Sequence, residues 1–290
     1  MNYEDRAQIY PEVRFSGTPS GRPLAVITGA STGIGYELAI QFAEHGYDLL
    51  LVSESEAVHD AVDRLGIYNV EVMGVRRDLR QETEIDAFCA DIRHIDRPLA
   101  AIVLNAGVGV GGKFFETELC TELNMIRLNV LANVHLAKHL VQYMILKGEG
   151  GKILFTSSVA ATTPGPYEAV YAATKAFIQS FATALHHELE EKGIQVTTLQ
   201  PGPTDTNFFH RAGMDDTKVG VSEKDDPADI AREAFEGLMS EKSNIVAGSL
   251  KNKILTATVI PEAVRVSQHA DMTKPGGASN VQGGPPPEAR

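Results

Sequence analysis

Leu24-Ala25-Val26-Ile27-Thr28-Gly29-Ala30-Ser31-Thr32-Gly33-Ile34-Gly35 joins a short apolar run to a turn spaced by glycines. Helical spacing of apolar residues then continues over about 34–44. A strand that breaks at glycines and re-emerges as a helix aims its first backbone N–H groups, and the positive end of the helix dipole, at one point. Residues without a Cβ let an anion approach the backbone there, and Gly29, Gly33 and Gly35 supply them. A tight structural turn could also use glycines. The placement between the first strand and the first helix favours the pyrophosphate of a dinucleotide.

Working outward, apolar runs recur at 48–52, 70–74, 100–105, 152–156, 195–200 and 244–247. Between them, helical spacing covers about 56–65, 82–94, 121–147, 171–192 and 227–241. Near-continuous apolar strands alternating with helices predict a seven-stranded parallel sheet covered on both faces, a doubly wound, Rossmann-like α/β fold. No internal repeat or change of composition splits residues 21–270, so they are read as one domain. Residues 1–20 read as an extension. Residues 271–290 contain four glycines and four prolines, too little apolar surface to offset ordering entropy, and are expected to be disordered. Residues 250–266 read as an apolar, basic piece with a helix interrupted at Pro261.

The 290 residues carry 38 acidic and 26 basic side chains, a net charge of −12. That balance argues against nucleic acid and against an anionic membrane surface. No apolar run approaches the ~20 residues that span a bilayer, and the first residues lack a signal-peptide pattern. Cys89 and Cys120 cannot build a disulfide framework. A cytoplasmic enzyme is the expectation.

The second apolar run ends in Ser53-Glu54, about 20 residues past the glycines, where an acidic side chain can hold the ribose hydroxyls of adenosine. No Arg or Lys follows that strand to take a 2′-phosphate, so Glu54 tilts the expectation toward NAD over NADP; Glu54 could equally begin a solvated loop. Gly107-Val108-Gly109-Val110-Gly111-Gly112 matches a second glycine string, but no clear helix follows, and it reads as a loop near the ligand. Tyr171 and Lys175 lie four apart on one helical face. A lone Tyr-x-x-x-Lys is weak; its company is Ser157 and Ser158 at one strand end and Asn129 in a long helix.

Together these residues resemble the short-chain dehydrogenase/reductase family over about residues 21–250. The parts that carry the resemblance are Thr28-Gly29-x-x-x-Gly33-x-Gly35, Asp78-Leu79, Asn105-Ala106-Gly107, Asn129, Ser158, Tyr171 with Lys175, and Pro201-Gly202-Pro203-Thr204. The resemblance implies an alcohol/carbonyl oxidoreductase using NAD or NADP, with Tyr171 as general acid and base. It implies that Ser158 holds the substrate oxygen, Lys175 the nicotinamide ribose, and Asn129 a water for proton relay. It also implies that Ser31, Thr32, Ile34, Asp78 and Leu79 lie along the cofactor, that Asn105 supports the turn, and that Thr204 and Thr206 face the nicotinamide. A phenol of pKa ~10 is mostly protonated at neutral pH; Lys175 and the nicotinamide charge are expected to favour phenolate. Ser157 is expected to satisfy local backbone. The long, apolar helices carrying Asn129 and Tyr171 imply a homodimer or homotetramer.

Four histidines read as bland. His135 and His139 are four apart, and His186 adjoins His187, but no third ligand is spaced nearby and no metal is expected. The acidic stretch 215–229 reads as a solvated loop with a helix start at Asp226-Pro227. Phe208, Phe209 and Met214 line a pocket or pack a lid. A rival function is a non-catalytic dinucleotide sensor on the same fold, against which the complete set of Asn129, Ser158, Tyr171 and Lys175 weighs.

Overall fold

Residues 21–249 and 261–280 are described by the computed structural model; the extension, residues 250–260 and the last ten residues lie outside them. Seven strands form one parallel sheet: β1 (Leu24–Thr28), β2 (Asp48–Ser53), β3 (Val72–Arg76), β4 (Leu99–Leu104), β5 (Gly151–Thr156), β6 (Ile194–Pro201) and β7 (Asn244–Ala247). Their order is β3-β2-β1-β4-β5-β6-β7, all in parallel register. The order reverses between β1 and β4, and ligands of open α/β sheets bind at the carboxyl ends beside such a reversal. The glycine turn after β1 opens there.

Every residue of β1 and β2 is buried, as strands covered on both faces must be. Alternate side chains divide between two cores. Leu24, Val26, Leu50, Val52 and Phe155 meet α3 (Glu82–Ile95), α5 (Ala132–Lys147) and α6 (Ala169–Leu189). Ala25, Ile27, Leu49, Leu51 and Leu154 meet α1 (Gly33–Glu44), α2 (Ala57–Leu65) and α9 (Pro227–Met239).

Two expectations change. The run 121–147 is not one helix: α4 (Leu119–Ile126) passes through a π-helical turn at Arg127–Leu131 into α5. The wide turn shifts the Ala132 N–H onto the Arg127 carbonyl. Asn133 Nδ2 covers the carbonyls of Leu128 and Asn129 at 3.3 and 2.9 Å. The second change concerns the boundary at 270, which falls inside a helix. After two short helices, α7 (Phe208–Arg211) and α8 (Lys218–Val221), and after α9, the helix α10 spans Glu262–Thr273 and a 3₁₀ turn follows at Gly277–Asn280. Pro261 is the N-cap residue of α10, and residues 250–260 of the expected apolar piece lie outside the described residues. Thr273 Oγ1 donates to the Pro166 carbonyl (2.9 Å), Lys218 pairs with Asp271 (2.7 Å) and the Gly276 N–H donates to Asp216 (2.7 Å). Those long-range bonds order residues whose local composition alone could not.

Candidate active site

The glycine turn packs its backbone directly against the residues that follow β4. Gly29 has φ +66°, and a Cβ there would stand 2.9 Å from Ala106 Cα. A Cβ on Gly35 would overlap the Gly29 carbonyl oxygen and stand 2.5 Å from Asn105 Nδ2. Asn105 fastens this crossing point. Its Nδ2 donates to the carbonyls of Thr28 and Gly29 at 3.3 and 3.4 Å, and its Oδ1 accepts from Thr156 Oγ1 at 3.2 Å. Thr28 Oγ1 in turn accepts from the N–H groups of Asn105 and Ala106, both at 3.0 Å. Asn105 thus ties the end of β1 and the glycine turn to the end of β5. Thr32, at the N-cap of α1, makes no side-chain cap bond, and no acidic residue lies in the first turn. A helix start with uncapped donors and no nearby anion of its own suits a phosphate.

On the far side of β1 and β4 stand the four residues read as catalytic. Tyr171 and Lys175 share one face of α6, and both are buried. Lys175 Nζ lies 5.8 Å from the centre of the Tyr171 ring and donates to the Thr156 carbonyl at 2.9 Å. Ser157 Oγ donates to the Lys175 carbonyl at 2.9 Å, a backbone partner on α6 rather than the local one expected. Ser158 Oγ accepts from the Ala160 N–H at 3.1 Å, which leaves its own hydrogen to give elsewhere. A Cβ on Gly107 would meet Asn129 Oδ1 at 3.2 Å and Lys175 Nζ at 3.4 Å, so both groups flank that glycine. Val108, Ala160 and Phe208 pack an apolar wall against Tyr171.

Burial dominates the electrostatics of Tyr171 and Lys175. Burial pushes the Tyr171 phenol above its ordinary value, and the Glu168 carboxylate adds to this; a hydrogen bond with Ser158 pulls the other way. Burial also lowers the Lys175 ammonium to about 8. Desolvation is the largest cause for both groups.

Asn129 is 1% exposed, and its amide is fully engaged. Its Nδ2 donates to the Val108 carbonyl (2.9 Å) and Thr174 Oγ1 (3.1 Å), while its Oδ1 accepts from the Val108 N–H (3.0 Å). The side chain anchors the loop that follows β4.

At the adenosine end, Ser31 and Ser53 hydroxyls meet at 3.0 Å, tying the glycine turn to β2. Glu54 has a basic neighbour after all: Arg80 Nη2 donates to Glu54 Oε2 at 2.6 Å and also grips Asp78. The base comes from the turn after β3, not from the loop after β2. Burial would raise the Asp78 carboxyl, but hydrogen bonds from Arg80 and Gln81 hold it below its usual range.

A single cavity of about 1060 Å³ runs from this end to Tyr171. Ser31, Thr32, Ile34, Leu79, Pro201, Gly202, Thr204 and Thr206 all line it, with the glycines at 29, 33 and 107. Among the site residues expected from sequence, only Gly35 and Asn129 do not line it; they act behind its wall.

Residues 23–216 match the family model for the short chain dehydrogenases. The chain belongs to the short-chain dehydrogenase family. It is 30% identical over 236 residues to the oxidoreductase YmfI of Bacillus subtilis, covering 78% of this chain and 95% of that one. It is 29% identical over 205 residues to the oxidoreductase EphD of Mycobacterium tuberculosis, where the match takes 69% of this chain but spans only 35% of that longer relative. The short-chain dehydrogenase from Sphingobium yanoikuyae, solved in complex with NADPH, superposes with a TM-score of 0.73 at 26% identity, covering 92% of this chain and 98% of that one.

Beyond the matched residues, this short-chain dehydrogenase adds a cover that sequence reasoning missed. Arg265, Gln268, His269 and Met272 of α10 line the same cavity, as does Glu168. His269 Nε2 lies 3.1 Å from Glu168 Oε2, and Arg265 Nη1 donates to the Thr162 carbonyl at 2.7 Å. The separations of about a hundred residues explain why no local motif announces these pairs. Phe208 lines the cavity, with its ring tilted 53° to the Tyr171 ring at 5.4 Å between centres, and it also packs against Phe209.

Proposed function

We propose that this protein is an NAD(P)-dependent alcohol/carbonyl oxidoreductase in which Tyr171 moves the proton. The observation that carries the proposal is the convergence of Ser158, Tyr171, Lys175 and the Gly107 backbone at one end of a cavity whose other end is a glycine-bounded helix N-terminus. The uncapped start of α1 and the Cβ-free approach at Gly29 fit a pyrophosphate. A bound nicotinamide supplies or accepts the hydride.

The protein's residues account for the rest of the chemistry. A protonated Tyr171 gives its proton to the substrate oxygen during reduction and takes it back during oxidation. Ser158, with its acceptor side occupied by Ala160, donates to the same oxygen and steadies the charge that develops there. Lys175 is fixed by Thr156 and positioned beside Gly107 to hold the nicotinamide ribose. Val108, Ala160 and Phe208 exclude water around the phenol.

Glu54 supports a preference for NAD: a 2′-phosphate would face its carboxylate and would have to take Arg80 away from it. Exposed apolar side chains on α5 and α6, among them Leu146 at 81% and Phe177 at 41%, support association with a second copy. Among the described residues no helix is long and apolar enough to cross a membrane, and the two free cysteines accord with a reducing compartment such as the cytoplasm.

The test is turnover of NADH and NADPH by the purified protein against a panel of ketones, aldehydes and sugars, followed by absorbance. The expected result is saturable oxidation of the dinucleotide with at least one carbonyl. Tight dinucleotide binding without turnover on any of them would favour a sensor.

A further inference from the structure

His135 and His139 stand one turn apart on α5, and their sequence neighbours offer no third ligand. The fold supplies one from α3. Asp86 crosses the α3–α5 groove so that its Oδ1 lies 3.0 Å from His135 Nε2. The two imidazole rings lie 5.0 Å apart, centre to centre. One donor atom from each of the three residues lies within 4.8 Å of the other two. We propose that Asp86, His135 and His139 form a binding site for a divalent transition-metal ion, zinc foremost, that bridges α3 and α5.

Two imidazoles and a carboxylate are a donor set of three-ligand zinc sites, which keep a fourth position for water. Ligands at ~2.0–2.1 Å in a tetrahedron put donor atoms about 3.3 Å apart. The Asp86–His135 pair, at 3.0 Å, is close to that separation, and the His139 donor lies within 4.8 Å of both. Side-chain exposure of 23% for both His135 and Asp86 leaves a path for the ion and room for water. The i, i+4 spacing on α5 sets the second imidazole against the first, on the side where Asp86 reaches His135. Arg93 lies close enough for its charge to be felt at His139, and it opposes a cation there.

None of the three residues lines the large cavity, so the ion would cross-link two helices instead of taking part in hydride transfer. His135 follows Asn129 by six residues, about 9 Å at 1.5 Å per residue. The cross-link would thus hold the helix that begins where the Asn129 turn ends.

The test uses full-length, tag-free protein cleared of metal with a chelator, titrated with Zn(II) by calorimetry and with Co(II) by visible absorption. One equivalent of Zn(II) is expected, and Co(II) should develop the d–d bands of low coordination number. His139→Ala and Asp86→Asn should each weaken Zn(II) by more than the ~10-fold typical of losing even an outer-shell partner. Arg93→Gln should tighten it. Zn(II) should raise the melting temperature of the wild type and leave those of H139A and D86N unmoved, with all three melting alike in chelator. Absence of saturable one-equivalent binding would overturn the proposal. So would binding that survives in both ligand variants, since other histidines such as His186 and His187 would then hold the ion.

Discussion

Replacing Asn129 with alanine separates two roles that the same residue could play. If it served only a water relay, Asn129→Ala would cut turnover and leave stability alone. The structure predicts otherwise. The change removes three hydrogen bonds of 2.9–3.1 Å from a side chain that is 1% exposed. At about 1 kcal/mol net for each bond, the loss is about 3 kcal/mol. For a chain of this size 1 kcal/mol moves the melting temperature by about 2–4 °C, so a fall of about 6–12 °C is expected. Differential scanning calorimetry reads this directly, and a titration with NADH reads the accompanying slackening of the 107–112 loop. A melting temperature within about 2 °C of the wild type, with turnover lost, would refute the anchoring role.

Three further outcomes follow from the same geometry. Gly35→Ala drives a Cβ into the Gly29 carbonyl and the Asn105 amide, an overpacking of about 1–3 kcal/mol or more; it should weaken NADH binding at least ~10-fold, and unchanged affinity in a fluorescence titration would contradict the packing argument. Lys175 titrates at about 8 in the folded protein against 10.5 ordinarily, so between those values the unfolded chain binds more protons and stability rises with pH. The stability of wild type minus that of Lys175→Met, from urea midpoints, should therefore climb from pH 8 to 10.5; a flat difference would count against a buried ammonium. NADH should bind more tightly than NADPH, and Glu54→Gln should release Arg80 and raise NADPH affinity. A preference for NADPH that the substitution leaves unchanged would show that Glu54 does not set the choice.

Local patterning carried most of the fold, because strands buried on both faces are apolar throughout and their spacing survives without a partner. The limits β1 (Leu24–Thr28) and β7 (Asn244–Ala247) coincide with the expected ones. The glycine turn was legible for a related reason: Gly29 and Gly35 leave no space for a side chain. What escaped depends on groups distant in sequence. Arg80 reaches Glu54 across 26 residues, and His269 reaches Glu168 across 101. The tail composition after 270 suggested disorder, yet Thr273 and Asp271 find partners on the α6 approach and α8. Tyr171 was legible as a residue, whereas the burial that acts on its phenol comes from packing that the motif does not record. Asp86 joins His135 and His139 only through the packing of α3 on α5.

The most direct test of the account is Tyr171→Phe, assayed for dinucleotide-dependent turnover of whichever carbonyl the wild type reduces best, alongside the dissociation constant for NADH. Loss of a general acid–base predicts a fall in kcat/KM of at least ~100-fold with binding unchanged. Turnover within a few-fold of the wild type would contradict the assignment of the proton to Tyr171.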